Sequence, residues 1–228
     1  MTFKTFIIGL LCSFGLPLLL IVIIPFSSMQ EIKPVRFDES DDGKDEVYVP
    51  RRNGRITDGA KVYGANGCYT CHSQLIRPTY STASSDVWRS DWAGRKRTED
   101  NPETRRETTA WDFQGESFAQ IGLARIGPDL SNVGHRITRY AKEAGVSPED
   151  WAFEHLRDPA AIPGLHGSKC PPNTFMFTSA RVAGGDERQV VPKPAARVLV
   201  SYLLSLKKDD PVPYSINHSR SKKRAIEQ

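Results

Sequence analysis

The sequence predicts a mainly α-helical protein in which one N-terminal transmembrane helix precedes a helical soluble domain with a long loop insertion. Three observations support this class. No charged residue occurs between Thr5 and Gln30, helix-capping residues occur at Ser147, and apolar residues recur at helical spacing near the C-terminus. The 228 residues suffice for one or two domains, and 31 basic against 27 acidic residues give a net charge of only +4. This charge gives no basis for nucleic-acid binding, and four cysteines exclude a disulfide-dense scaffold.

The apolar segment Phe6–Pro25 is predicted to span a lipid membrane. As a helix it would be about 30 Å long, which matches the hydrocarbon core of a bilayer. The alternative is a cleaved signal peptide, whose apolar region usually has about 7–15 residues and a small-residue cleavage site. Because the run is longer and no such site follows it, we expect an uncleaved anchor over residues 1–30. Pro17 is tolerated in a membrane helix, and Cys12 is expected to face lipid or a neighbouring helix.

The rest of the chain is predicted to contain an acidic linker, one domain and a basic tail. Residues 31–55 combine clustered acidic residues with few apolar ones, which is typical of an extended segment. We place the domain at residues 56–210 and the basic tail at residues 211–228. Residues 80–120 are polar and charged, and we expect them to form the loop insertion on the domain surface. Five aromatic residues are expected to pin it in part: Trp88, Trp92, Trp111, Phe113 and Phe118.

Three helices are predicted in the domain. The first has Asp58 as its N-cap and continues towards Cys68. The second follows Ser147, with Pro148 and two acidic residues in its first turn. The third covers Ala195–Lys207 and has one apolar face. That face is formed by Val198, Leu199, Tyr202, Leu203 and Leu206.

The segment Cys68-Tyr69-Thr70-Cys71-His72 has the C-x-x-C-H spacing of covalent haem attachment. Two thiols at this spacing can both form thioethers with the vinyl groups of one haem, and His72 then lies under the iron as a ligand. A thioredoxin-like dithiol and half of a zinc site are the alternatives. A zinc site needs more ligands, and no second C-x-x-C occurs. We therefore expect one covalently attached haem c, and we expect Cys170 to be a free thiol.

Met176 is the predicted second ligand of the iron. Met1 and Met29 belong to the anchor, so Met176 is the only methionine of the soluble domain. It follows His72 and precedes the last helix, which is the order found in class I cytochromes c. It could instead fill a gap in the core. Four histidines are competing ligands: His135, His155, His166 and His218.

Residues 67–78 (GCYTCHSQLIRP) resemble the haem segment of the mono-haem subunit II of cbb3-type cytochrome c oxidases. Two later stretches agree in order, Arg125–Leu130 with Val133-Gly134 and Trp151–Pro159. The resemblance implies a class I cytochrome c domain that relays electrons to an oxidase. The implied partners are the haem-copper catalytic subunit, a di-haem cytochrome c subunit and the lipid membrane. It further implies a single-pass protein of the bacterial inner membrane with its soluble domain in the periplasm.

Two further residues are expected at the haem. The resemblance implies that the carbonyl of Pro128 accepts a hydrogen bond from the His72 ring, which would orient the ligand. Arg77 could pair with a haem propionate, or it could be a solvated surface residue. No nucleophile and base stand out, so no catalytic site is expected. The alternative functions are a stand-alone membrane-anchored electron shuttle and a haem sensor without a Met176 ligand.

Overall fold

The computed structural model of the protein describes residues 2–30, 36–37, 46–47, 53–81, 86–99, 103–163, 168–181, 188–210 and 212. The chain divides into two compact units, Met1–Val47 and Tyr48–Gln228. The described residues are mainly helical with little strand, as predicted. His166, His218, most of the predicted linker 31–55 and nearly all of the predicted tail 211–228 lie outside the described residues.

The first unit contains the apolar helix. Helix α1 covers Phe3–Leu10 and α2 covers Ile24–Gln30, and the turns between them include the wider π-helical segments Leu11–Gly15 and Leu18–Ile23. Together they form a helix over Phe3–Ser28 that is long and apolar enough to cross a membrane once. Its apolar side chains are exposed, as a lipid-facing helix requires. Two short strands, β1 (Arg36–Phe37) and β2 (Glu46–Val47), pair antiparallel in the same unit.

The second unit has five helices and one antiparallel strand pair among its described residues. The helices are α3 (Gly54–Ala65), α4 (Ser90–Ala93), α5 (Val133–Ala144), α6 (Pro148–Arg157) and α7 (Pro194–Ser205). Strands β3 (Phe177–Arg181) and β4 (Arg188–Pro192) pair with Phe177 opposite Pro192. Short 3₁₀ turns cover Cys68–Thr70, Ala110–Phe113, Pro159–Ala161 and Thr174–Met176.

Helix α3 begins earlier than the sequence analysis expected. The predicted N-cap Asp58 is wrong, because Asn53 caps the helix and its side chain accepts a hydrogen bond from the N–H of Ile56 at 3.0 Å. Asp58 instead lies inside the helix and pairs with Lys61 at 3.2 Å. The residues from Gly54 onwards that were expected in the linker are therefore helical.

Helices α3 and α7 cross at Gly59, and this crossing forms the centre of the core. A Cβ at Gly59 would lie 2.5 Å from the Cβ of Tyr202, so a larger residue would push the helices apart. The Tyr63 and Tyr202 rings meet beside it, with centroids 5.6 Å apart. Both rings are fully buried, together with Leu199. The first and last helices of the unit are therefore held together at a position that only glycine fits.

Of the two later predicted helices, α6 agrees with its prediction and α7 is shorter. Ser147 caps α6, and its hydroxyl accepts a hydrogen bond from the N–H of Asp150 at 3.0 Å. Helix α7 ends at Ser205, so Leu206 and Lys207 lie beyond it. Leu206 is nevertheless buried, because the chain continues along the core.

Helix α5 was not predicted, although the sequence contains signals for it. Gly134, Ile137 and Ala141 share one face at helical spacing and are buried. Gly145 ends the helix in the left-handed conformation, with φ +70°.

The described part of the insertion at residues 80–120 is held by buried charge and, in part, by Trp92, which packs against the cluster of Ile76, Val87 and Ala93. Trp88 and Phe118 are exposed, which contradicts their expected pinning role. Arg106 and Asp112 form a buried ion pair at 2.6 Å, and both side chains are at most 2% exposed. Arg106 also donates to the carbonyl oxygen of Asp210 at 2.8 Å, which ties the insertion to the segment after α7.

Candidate functional site

The C-x-x-C-H segment leaves helix α3 through a sharp turn. Gly67 adopts the left-handed conformation with φ +68°, and the 3₁₀ turn Cys68–Thr70 follows directly. The N–H of His72 donates to the carbonyl oxygen of Cys68 at 3.1 Å. The turn therefore keeps both thiols and the imidazole within one compact segment at the end of α3.

A second segment, residues 121–130, lies alongside the motif and fixes its backbone. The two segments share four backbone hydrogen bonds of 2.8–2.9 Å. The N–H groups of Leu123, Gly127 and Leu130 donate to the carbonyls of Tyr69, Cys71 and Ser73, and the N–H of Gln74 donates to Ile121. Residues 69–74 are thus held on one side by the segment that carries Pro128.

His72 is oriented by Pro128. The Nδ1 atom of its ring lies 2.9 Å from the carbonyl oxygen of Pro128. Because a carbonyl can only accept, Nδ1 must carry the proton, and Nε2 of the neutral ring keeps a free lone pair. The hydrogen bond expected between these residues is present. The role of Pro128 towards a bound iron stays a prediction.

Gly127 allows the imidazole to approach the backbone closely. A Cβ at this position would lie 2.6 Å from Nδ1 and 2.9 Å from Nε2 of His72, and closer still to Cε1. Carbon and nitrogen atoms in contact normally need about 3.5 Å. Any residue other than glycine would therefore displace the ring or break its bond to Pro128.

His72 is kept neutral by its surroundings. Burial lowers its pKa, and the nearby Arg136 guanidinium lowers it further, although the bond to Pro128 acts in the opposite direction. Arg136 is itself buried, and it donates to the backbone oxygen of Asp129 at 2.5 Å and to that of Asp91. A neutral ring with a free Nε2 is the form that binds metals. Sequence reasoning missed Arg136, because no local pattern distinguishes it from a surface arginine on α5.

The two thiols of the motif are free and half-buried. Burial raises the pKa of Cys68 to about 11, and the nearby thiols of Cys170 and Cys71 add to this effect. The pKa of Cys170 is also raised by burial and by the Cys71 thiol. Cys170 is a free thiol, as expected, but its proximity to the motif could not be read from the sequence.

Arg77 pairs with a carboxylate of the protein itself, whereas the sequence analysis considered a haem propionate or solvent as its surroundings. Its guanidinium pairs with both carboxylate oxygens of Asp86, at 2.9 and 3.2 Å. Asp86 also accepts from Arg125 at 2.8 Å. The two arginines hold the pKa of the buried Asp86 at about 2, although burial itself acts to raise it. A propionate would have to compete with Asp86 for Arg77, and that pairing stays a prediction.

Met176 is buried, with 2% exposure, at the end of the turn Thr174–Met176. The N–H of Asn173 donates to the carbonyl of Leu156 at 2.9 Å, and the N–H of Lys193 donates to the carbonyl of Met176 at 2.9 Å. The turn is therefore tied to α6 on one side and to the start of α7 on the other. Met176 belongs to the core cluster against which Cys68 packs.

Apolar side chains are exposed beside the motif. Phe118, Leu123 and Ile126 are 77%, 76% and 71% exposed. Part of the same segment lines a groove of about 600 Å³, whose other wall includes Gly64 and Tyr69. We call the side chains of Phe118, Ile121, Leu123 and Ile126 the apolar strip. Arg125 is the one charged residue in residues 118–126, and its guanidinium is directed inward to Asp86.

No protein-family profile matches the chain, and no curated protein matches it. Among the described residues, no three His, Cys, Asp or Glu side chains come together as a metal-binding cluster. The described residues of this region that could hold a metal or cofactor are the free thiols of Cys68 and Cys71, the oriented His72 and the buried Met176.

Proposed function

We propose that the protein is a membrane-anchored mono-haem cytochrome c that transfers single electrons. The observation that carries the proposal is the hydrogen bond from His72 Nδ1 to Pro128 within a C-x-x-C-H segment. This bond leaves Nε2 available to an iron and fixes the direction in which it points. A surface C-x-x-C pair would not need such an oriented histidine.

The residues of the chain have separate tasks in this proposal. Cys68 and Cys71 would hold the haem covalently, and His72 and Met176 would bind its iron. The bound haem supplies the one-electron chemistry. The chain supplies burial and ligand orientation, and Met/His ligation gives a higher reduction potential than two histidines would.

The class I cytochrome c fold is part of the same proposal. The crossing of α3 and α7 at Gly59 supports it, since the helix before the haem motif and the last helix of the domain then pack together. The position of Met176 between α6 and α7 is also consistent with it.

The partners are proposed from the resemblance and from the apolar strip. Transient redox complexes have small interfaces, whereas permanent interfaces are larger and more apolar. An apolar strip without an outward charge, next to the haem motif, favours a permanent partner. We therefore favour a subunit of a cbb3-type oxidase, in contact with the haem-copper catalytic subunit and a di-haem subunit, over a stand-alone shuttle. The domain then lies on the periplasmic side of the bacterial inner membrane.

Haem staining of a denaturing gel tests the proposal directly. The full chain should give one stained band that survives acid–acetone extraction. The Cys68→Ala, Cys71→Ala double variant should lose the stain, whereas Cys170→Ala should keep it because that thiol lies outside the motif. A stain that disappears from the unmodified protein on extraction would exclude covalent attachment.

Co-purification distinguishes the proposed oxidase subunit from the alternative function as a stand-alone electron shuttle. After mild detergent extraction, the unmodified chain should bring an oxidase catalytic subunit with it. Leu123→Asp should reduce this recovery, because it places a charge on the apolar strip, and Lys61→Ala on the opposite wall of the groove is the matched control. Purification of the haem-loaded chain alone would favour the shuttle.

A further inference from the structure

Asp129 is a buried carboxylate that the proposed function leaves without a task. Its side chain is fully buried. A guanidinium nitrogen of Arg125 lies 3.9 Å from its Oδ2 atom, which is too far for a hydrogen bond. Burying a charge is costly unless hydrogen bonds compensate for the lost water. The groups that donate to this carboxylate therefore indicate which part of the fold it stabilises.

The carboxylate of Asp129 joins the two segments that meet at His72. Its Oδ2 atom accepts hydrogen bonds from the hydroxyl of Ser73 at 2.6 Å and from the N–H of Leu75 at 2.8 Å, both in the segment directly after His72. Its Oδ1 atom accepts from the N–H of Ser131 at 2.8 Å, within its own segment. We call these three hydrogen bonds the Asp129 staple. They fix the two segments relative to each other through one side chain.

The staple lies next to the hydrogen bond that orients the His72 ring. That bond ends on the carbonyl of Pro128, which belongs to the peptide group between Pro128 and Asp129. Ser73 is the next residue after His72, so both partners of the bond are adjacent in the chain to members of the staple. The backbone carbonyl of Asp129 is also held, because it accepts from Arg136 at 2.5 Å. A small shift of either segment would therefore stretch the bond between His72 and Pro128.

We propose that Asp129 is a positioning residue that holds the Pro128 carbonyl against His72 and so sets the strength of the hydrogen bond between them. The inference rests on the proposed function, because that bond acts on the iron only when His72 is its ligand. A hydrogen bond from Nδ1–H makes the imidazole a stronger donor to a metal. Stronger donation favours ferric iron, so the staple keeps the reduction potential lower than a loosely held ring would.

Hydrogen exchange of the His72 Nδ1–H group tests this role, measured by NMR on the reduced, haem-loaded full chain in mild detergent. Asp129→Asn keeps the size of the side chain but replaces one acceptor oxygen by a donor. It should speed this exchange by about tenfold or more, because hydrogen bonds to a charged group are lost. The rate is compared with that of the N–H of Leu199, which is buried in α7 and reports opening of the whole core. Redox titration of the same variant should show a raised midpoint potential.

Two further variants separate the staple from other effects of the carboxylate. Burial lowers the pKa of His72 most, and the charge of Asp129 acts in the opposite direction, so this charge also reaches the ring. Ser73→Ala leaves the charge in place but removes one donor of the staple, and it should speed the exchange and raise the potential by less. Asp209→Asn is the matched control, because this buried carboxylate binds His135 instead, and neither measurement should change.

Three outcomes would overturn the inference. Equal acceleration of exchange at His72 and Leu199 in Asp129→Asn would make the residue purely structural. A raised potential with unchanged exchange at His72 would show that Asp129 acts through its charge alone. If Asp129→Asn does not accumulate, Ser73→Ala decides, and unchanged exchange at His72 relative to Leu199 would exclude the staple. Failure of the proposed function is distinguishable, since the unmodified chain would then carry no haem stain.

Discussion

Gly127→Ala is the substitution whose effect the structure specifies most sharply. The new Cβ would lie 2.6 Å from His72 Nδ1, whereas unstrained contacts need about 3.5 Å. The ring or the backbone must therefore move by about 1 Å. A movement of this size stretches the 2.9 Å bond from His72 to Pro128 beyond the limit of a hydrogen bond.

The expected cost combines two effects. Overpacking in a close-packed site costs about 1–3 kcal/mol, and loss of one hydrogen bond adds about 1 kcal/mol. Gly127→Ala should therefore lower the free energy of unfolding by about 2–4 kcal/mol. Because the ring also loses its orienting partner, the reduction potential should shift.

Denaturant unfolding of the haem-loaded chain, followed by circular dichroism, measures the first effect, and redox titration measures the second. Gly64→Ala is the matched control. Its Cβ would meet only the flexible end of Gln120, at 3.1 Å, and alanine is favoured over glycine in a helix by about 1 kcal/mol. If Gly127→Ala unfolds at the same denaturant concentration as Gly64→Ala and keeps its potential, the contact with His72 is not present.

Three further predictions concern the proposed iron site and the buried charges. Met176→Leu, of similar volume, should keep covalent haem but lose the far-red band in absorption spectra and bind carbon monoxide more readily. Arg136→Leu should lower the midpoint potential in a redox titration, because a buried positive charge near His72 favours the reduced iron, and Arg136→Lys should preserve more of it. The pKa of Asp209 is lowered to about 2 by hydrogen bonds from His135 and Thr104, against the effect of burial. Asp209 therefore adds about 2 kcal/mol to the free energy of unfolding above pH ~4, and this contribution is lost as the pH falls towards 2. Urea unfolding at a series of pH values should show the loss in the parent protein but not in Asp209→Asn.

The features that could be predicted from the sequence are those determined by residues close together in the chain. The capping of α6 depends on Ser147, Pro148 and the acidic residues next to them, so it could be predicted. The N-terminal apolar helix could be predicted for the same reason, since its length and composition depend on neighbouring residues alone. The hydrogen bond between His72 and Pro128 could be expected only through the resemblance, because 56 residues separate the two positions in the chain.

Most differences between the predicted and the observed structure involve residues whose partners are distant in the sequence. Asp58 has the residue type of an N-cap, but Asn53 comes earlier and continues into a compatible helical sequence. The strand pair β3 and β4 depends on cross-strand partners such as Phe177 and Pro192, which the sequence analysis did not match. Buried charges such as Asp86 look like surface residues until their arginine partners are known.

The described part of the insertion at residues 80–120 is connected to the C-x-x-C-H segment through hydrogen bonds and buried charges. Ile76, four residues after His72, exchanges hydrogen bonds with Thr108: its N–H donates to Oγ1 at 2.8 Å, and the N–H of Thr108 donates to its carbonyl at 2.9 Å. Arg77, the next residue after Ile76, donates a hydrogen bond to Asp86 of the insertion. Removing one partner of a fully buried ion pair, such as Arg106–Asp112 in the insertion, costs about 3–5 kcal/mol, whereas the intact pair adds little net stability. The charges therefore act mainly to fix one position of the insertion against the segment after His72. A folded but misplaced insertion would disturb that segment, so the charged residues of the insertion contribute to the candidate site without belonging to the C-x-x-C-H segment.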